Sequence, residues 1–489
     1  MNSLFLTVPV LLPLLGGLLI LLLKFQNDKN RMIFTEAVAV LTSLCVFICI
    51  FSVGPETAGV YSFTNGFEVA FRLDGAGKLF SVMVAVMWPL VLLYAFEYMA
   101  EEHRLNVFYA FYVMTYGITL GVAFSANIVT MYVFFEMLTL VTIPLVSHYG
   151  DHDSLFAGRK YAAYTIGGAS LSFMAVVLAT VYGGAGAFAY GGSIAGDYDP
   201  VLMQAAFILG FFGLGAKAAV FPMHDWLPTA SVAPTPVTAL LHAVAVVNSG
   251  AFAVMRLAFY VFGADMLYGT PAQIICLVAA EFSLLFSAAK AIRERHFKRR
   301  LAYSTMSNLS YMLFGFMLLT PAGFVGGLSH LLFHGIIKIA MFMAAGAFMH
   351  STGNSYIYEV NGVGKRMPVT FICYTAGAFS LTGIPLFCGF VSKWSLMTAG
   401  GESGTPWGIA GVFCLIASAF LCAVYTLSIS VRAFFPVRGK DRYGEDSDVK
   451  EVGILMLTPI VTATVVNILF GLFSGGIMEF IGSIAAGII

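Results

Sequence analysis

Seven side chains that can carry or accept a proton lie inside apolar stretches of this chain: Glu136, Lys217, His242, His330, His334, Lys338 and Lys393. A charged group at the centre of a bilayer costs about 2.5–3.5 kcal/mol on insertion scales. Several such groups are expected to face the interior of a helix bundle and to interact with one another. The chemistry these residue types offer together is proton transfer.

Lys217 sits in "FFGLGAKAAVFPMHDWLPTA", with Pro222 five residues later. Glu136 lies mid-segment in "YVFFEMLTLV". Burial favours a neutral amine and a nearby carboxylate favours the ammonium. A carboxylate that moves by a few ångströms can therefore load or unload a buried lysine. The alternatives are a structural ion pair or a protonated acid at Glu136, and a Lys217 or Lys393 that snorkels to the headgroups.

"HLLFHGIIK" places His330, His334 and Lys338 at i, i+4 and i+8, on one helix face. The histidine spacing also fits a metal pair as in HExxH, but no glutamate occupies the second position and Lys338 opposes a dication. Ordinary packed histidines are a further alternative. A proton relay is favoured because imidazole titrates nearest to neutral pH. His242, in "TPVTALLHAVAVV", stands alone. Glu281 is another mid-segment acid with no assigned role, and Lys290 reads as an interfacial anchor.

The elements that must position these groups follow from composition. The chain has 489 residues, 59% hydrophobic and 10% charged, with net charge +0. Soluble domains are about 25% charged. Apolar runs of 18 or more residues recur, each long enough to span a bilayer. The expected fold class is an all-α polytopic membrane protein forming a single membrane domain over 1–489. The first run, Leu4 to Leu23, has no basic region ahead of it and reads as a retained helix. The seven cysteines form no CxxC pair, so no iron–sulfur or zinc site is signalled and no redox cofactor is expected in the chain. No nucleic-acid partner is expected.

Fourteen helices are expected, at about 4–23, 33–53, 76–97, 107–124, 127–147, 160–182, 201–221, 236–262, 272–290, 301–319, 322–349, 368–398, 408–435 and 452–474. Putting the loop at 24–32 in the cytoplasm gathers 17 Lys and Arg residues into the cytoplasmic loops and leaves only Arg72 on the other side. "RERHFKRR" at 293–300 alone supplies five of them. Both termini then face outward, across the cell membrane.

Two segments, 322–349 and 368–398, exceed a straight span, and "LTGIPLFCGFVSKW" interrupts the second. The seventh helix is expected to end at Pro222 and resume as "HDWLPTA". Broken helices survive at membrane depth only where protein or water satisfies the freed backbone groups. Helices 4–8 and 9–13 each make five, and an odd number inverts the second set. Lys217 and Lys393 then fall on corresponding fourth helices, which suggests an inverted repeat.

The motifs now resemble a known family. "FFEML" (134–138), "GAKAAVFPMHDWLPTA" (215–230), "APTPVTALLHA" (233–243), "KRRLAYSTMSNLSYM" (298–312), "HLLFHGIIKIAMF" (330–342) and "LTGIPLFCGFVSK" (381–393) occur in order, with "RLDGAGKLF" (72–80) ahead of them. They resemble the antiporter-like membrane subunits of respiratory complex I, multisubunit sodium/proton antiporters and membrane-bound energy-converting hydrogenases. The resemblance covers roughly residues 70–395. It implies inverted repeats at 107–262, through which protons enter, and 272–435, through which they leave, with helices 7 and 12 broken. It implies a hydrated polar axis, a Glu136–Lys217 pair, a helix-8 position at His242, a relay at His330, His334 and Lys338, and a terminal group at Lys393. Some members carry lysine at the position of His242. The chain ends soon after helix 14, without the lateral helix of the distal complex I subunit.

The function expected is an ion-translocating, most simply proton-translocating, subunit of a multisubunit redox-driven complex. Family-related and small membrane subunits are the expected partners, with a peripheral redox module on the cytoplasmic side holding iron–sulfur or other cofactors. A secondary Na+/H+ antiporter subunit is the first alternative. Sodium wants oxygen ligands, and few acids lie at membrane depth. A passive scaffold is the second alternative.

Overall fold

In the computed structural model the described residues are 3–487, apart from 24, 26, 55, 65–66, 185, 437–440 and 445–446. Lys24, Arg438 and Lys440, counted above among the cytoplasmic basic residues, lie outside the described residues.

The chain begins with α1 (Thr7–Leu22) and α2 (Asp28–Ser52). A short antiparallel hairpin follows, β1 (Ala58–Thr64) and β2 (Phe67–Phe71). Then come α3 (Gly75–Tyr98), α4 (Leu105–Phe124), α5 (Ile128–Val146), α6 (His152–Gly183), α7 (Pro200–Gly215), the short α8 (Trp226–Thr229), α9 (Thr235–Ala243) and α10 (Val246–Arg256). A π-helical turn at Leu257–Phe262 continues α10. The second half contains the short α11 (Ala264–Leu267), α12 (Pro271–Arg293), α13 (Phe297–Met317), α14 (Pro321–Thr352), α15 (Pro368–Thr382), α16 (Cys388–Glu402), α17 (Pro406–Phe434), α18 (Ile454–Leu472) and α19 (Gly475–Ala485). The hairpin and α19 were not foreseen, because each fell in a stretch read as loop or tail.

Eleven helical segments among the described residues are long and apolar enough to cross a membrane. The spans expected from sequence but missing from those eleven are α7, α13 and the α15–α16 pair. The first and last are short because they are interrupted. The middle one, α13, starts in the basic "FKRR" and carries a run of hydroxyl and amide residues.

The bundle has a clear inside and outside. The apolar windows of Thr235–Phe262 and Pro321–Thr352 are 100% buried, whereas those of α2, α17 and α18 are 33% buried. A helix that is apolar all round and fully enclosed forms a core. These two core spans carry His242, His330, His334 and Lys338.

Three interruptions shape that core. α7 stops at Gly215, earlier than the expected Pro222, so Lys217 lies within the break itself. Ala219 has φ 52°, a conformation few non-glycine residues adopt. The freed groups are satisfied locally: Trp226 Nε1 donates to Ala216 O at 2.8 Å, and Phe221 N donates to Ser283 Oγ at 2.9 Å. α15 closes on Gly383, φ 94°, with Ile384 N donating to Phe379 O at 3.0 Å, and Gly389 N donates to Ser380 Oγ at 3.1 Å. A third break, unforeseen, separates α9 from α10 at Val244–Ala245, where Ala245 N donates to Leu240 O at 2.8 Å.

Candidate functional site

Lys217 is fully buried. Its Nζ donates to Phe135 O and lies 3.5 Å from the centroid of the Phe135 ring. The amine is therefore turned into the protein, not toward the headgroups. Gly250 on α10 permits this: a Cβ there would stand 2.5 Å from Ala218 N and 2.8 Å from Lys217 C. Glu136 follows Phe135 on α5, one residue from the carbonyl that the Lys217 amine meets. No ion pair within 4 Å joins them among the described residues, and Glu136 Oε1 is buried without a hydrogen-bond partner. The two groups are neighbours that have not closed into a pair.

His242 closes α9 just before the third break. Both its ring nitrogens lack partners, and its ring packs against Phe342 of α14 at 4.9 Å. One turn below Phe342 on α14, Lys338 donates to Ser304 Oγ at 2.7 Å and to Leu301 O at 3.2 Å on α13. Tyr425 of α17 donates to the same Ser304 Oγ at 3.0 Å. His334 is buried with both ring nitrogens unpartnered, 6.0 Å centroid to centroid from His330. His330 Nδ1 meets Ser392 Oγ at 2.9 Å on α16, and Nε2 meets Asn308 Oδ1 at 3.2 Å on α13. The Tyr311 ring stacks on His330 at 5.3 Å and lies 4.7 Å from Lys393 Nζ. Lys393 Nζ also donates to Leu381 O, a carbonyl at the end of α15.

His330, His334 and Lys338 on α14 and Lys393 on α16 thus gather around α13, whose Ser304, Asn308 and Tyr311 meet Lys338, His330 and Lys393, with His242 packed against α14. Lys217 and Glu136 stand apart from that cluster on α5 and the first break. Among the described residues no group of three or more His, Cys, Asp or Glu is placed to hold a metal ion. The lysine amines have carbonyls, a hydroxyl and aromatic faces as partners, and no ion pair among the described residues.

Sequence reasoning missed several residues. Lys298, read as part of a basic loop, is buried with its Nζ on Ala233 O at 2.7 Å. Arg256 and Asp74 make a buried two-pronged ion pair at 2.5 and 2.6 Å between the end of α10 and the start of α3. Asn248 sits inside "AVAVVNSGAF", fully buried. Glu36 on α2 has Oε2 buried and unpartnered. Arg256, Asn248 and Glu36 each interrupt an apolar run, so a search for polar residues at membrane depth finds them once it takes in every charged and amide side chain.

Beside the second half of the first break, a polar cleft of about 350 Å³ is lined by Asp153, Asp225, Glu294, Arg299 and Tyr303. Lys160 pairs with Asp225 there at 2.5 Å. The same end of the bundle is tied down by Phe297 N on Ser355 O and Ile357 N on Arg295 O, both 2.9 Å. Between those bonds, burial together with Lys298 and Arg299 pushes the His296 imidazole down to about 4, so it is neutral at physiological pH.

Residues 125–420 match the profile of the NADH:quinone oxidoreductase/Mrp antiporter transmembrane family. The chain belongs to that family. The match covers every one of the seven residues named first. Among relatives, the A/B subunit of a probable K(+)/H(+) antiporter of Rhizobium meliloti (strain 1021) is 31% identical over 79% of this chain and 39% of its own length. The A1 subunit of a Na(+)/H(+) antiporter of Staphylococcus aureus (strain Newman) is 28% identical over 84% of this chain and 53% of its own length. The chain thus spans about half, or less, of these relatives. In fold it is similar to a chain of the membrane-bound sulfane sulfur reductase, an archaeal respiratory membrane complex, with TM-score 0.85 and 22% identity over 99% of this chain and 97% of that one. It is also similar to a chain of the Mrp complex from Dietzia sp. DQ12-45-1b, with TM-score 0.82 and 20% identity over 99% and 96%. This family member is an all-α, multi-pass membrane protein.

Proposed function

We propose that this chain is the proton-translocating, antiporter-like subunit of a multisubunit redox-driven complex in the cell membrane. One observation carries the reading. Lys217, Lys298, Lys338 and Lys393 are all buried, and none has a carboxylate within 4 Å among the described residues. An inert scaffold has no reason to keep four such groups, each costly to bury unpaired. A conductor of protons does.

In this reading the repeat at 107–262 takes up protons and the repeat at 272–435 releases them. The polar cleft at Asp225 and Glu294 faces the cytoplasm and feeds Lys217 when Glu136 moves. The proton passes to His242, across the face of α14 that carries Lys338, His334 and His330, and leaves outward from Lys393. Both termini face outward. Electron carriers, iron–sulfur clusters among them, belong to a peripheral partner on the cytoplasmic side. Other membrane subunits of the same family, and small ones, flank the chain.

A second reading, a cation/proton antiporter subunit without redox chemistry, is supported by the names of the curated relatives. Proton movement in membrane vesicles holding the complete assembly separates the two. Electron-donor dependence without a sodium or potassium requirement supports the first, and a cation requirement without a donor supports the second. In either case Lys217→Ala should lower proton movement at least about a hundredfold, the scale of losing a positioned proton-transfer group, with normal assembly. Wild-type movement in that variant contradicts both.

A further inference from the structure

Asn248 has no part in the path just described, yet it touches both core spans. Its amide nitrogen donates to Ala243 O at 2.7 Å and to Leu331 O at 3.3 Å. Those carbonyls belong to the residues directly after His242 and His330. One side-chain amide therefore bridges the two helices that present the imidazoles. Gly335, directly after His334, makes the approach possible, since a Cβ there would lie 2.9 Å from Ala243 O and 2.8 Å from Met83 Sδ.

Two carbonyls claim the amide nitrogen, so the amide cannot be turned over without facing oxygen against oxygen. Its Oδ1 is thereby fixed as an acceptor, and it has no protein partner. Both ring nitrogens of His242, both of His334 and the Ser249 hydroxyl are likewise buried and unpartnered. Buried polar atoms are otherwise satisfied by protein or by ordered water, usually through two to four bonds per water. These orphaned acceptors and donors lie on α9, α10 and α14, the helices that Asn248 ties together.

We propose that Asn248 is a positioning residue for proton transfer between the two halves. Its amide nitrogen locks the 244–245 break onto α14, and this sets where the His242 imidazole stands relative to His330 and His334. Asn248 itself neither gains nor loses a proton. The proposal rests on the proton-path reading given above.

The test uses vesicles with the complete assembly and compares wild type with Asn248→Leu, Asn248→Asp and Lys217→Ala. Asn248→Leu should slow proton movement about tenfold or more, as misplacement near transferring groups does, and should raise the hydrogen/deuterium solvent isotope effect. Asn248→Asp keeps the volume and regains a donor only when protonated, so its rate relative to wild type should climb as pH falls. If Asn248→Leu fails to assemble, that pH trend decides. A rate, isotope effect and pH profile equal to wild type in Asn248→Leu, or a flat rate ratio across pH in Asn248→Asp, overturns the proposal. With Lys217→Ala inactive, such a result removes the role of Asn248 alone; with Lys217→Ala fully active, the proton-path reading fails instead.

Discussion

Asp74 and Arg256 make a settled buried ion pair, closed by two bonds and covered by Phe252 and Tyr260. The four buried lysines have nothing comparable. Removing one partner of a buried pair strands the other charge, at a cost of about 3–5 kcal/mol. Asp74→Asn should therefore lower the thermal midpoint of the purified assembly clearly, and an unchanged midpoint contradicts a structural role for the pair. At this scale the sequence was informative where residue type alone marked the chemistry, as with His330, His334 and Lys338 at helical spacing. It was silent on Tyr311, whose ring lies between His330 and Lys393. A tyrosine in a chain with 15% aromatic residues carries no distinguishing signal. Nor did the sequence place Glu136 and Lys217 short of direct contact, because separation depends on how α5 meets the first break.

The elements differ in how openly the sequence declares them. The breaks near Lys217 and before Lys393 announce themselves through Pro222, Gly383 and Pro385, residues that punctuate helices. The break at Val244–Ala245 has no such marker in "LHAVAVVN". It exists because Asn248 and Gly335, one from the same span and one from α14, satisfy and accommodate the freed carbonyl of Ala243. The early end of α7 has a similar tertiary origin in Trp226 and Ser283. Gly250 gives this scale a prediction. Its absent Cβ leaves room for the backbone of Lys217 and Ala218, which cannot yield as a flexible side chain would. Gly250→Ala should destabilise the assembly by about 1–3 kcal/mol, the range for overpacking a tight contact. It should also slow proton movement, which vesicle assays read directly; full stability together with full movement contradicts the contact.

For the whole molecule, the class of fold followed from composition and apolar run length, because a chain with 10% charged residues and repeated long apolar runs has few other solutions. Which spans form the core was not legible, since α1 and α14 read alike as hydrophobic runs. The difference lies in enclosure: the apolar window of α14 is wholly buried, while the α1 span is 39% buried. Orientation rests on the distribution of Lys and Arg. A cysteine replacing exposed Arg295, in a background without the native cysteines, should react with an impermeant reagent only after the membrane is opened. One replacing exposed Asp197 should react in intact cells. The reverse pattern inverts the direction of the path.

The account stands most directly on Lys338, enclosed on the core helix α14, where its amine meets Ser304 and Leu301 and, among the described residues, no carboxylate. Proton movement by vesicles carrying Lys338→Met in the complete assembly measures whether the proposed path conducts. Near-complete loss of movement, with the thermal midpoint kept or raised, is the result predicted for a link in a conducting chain. Movement at the wild-type rate would show that protons cross elsewhere.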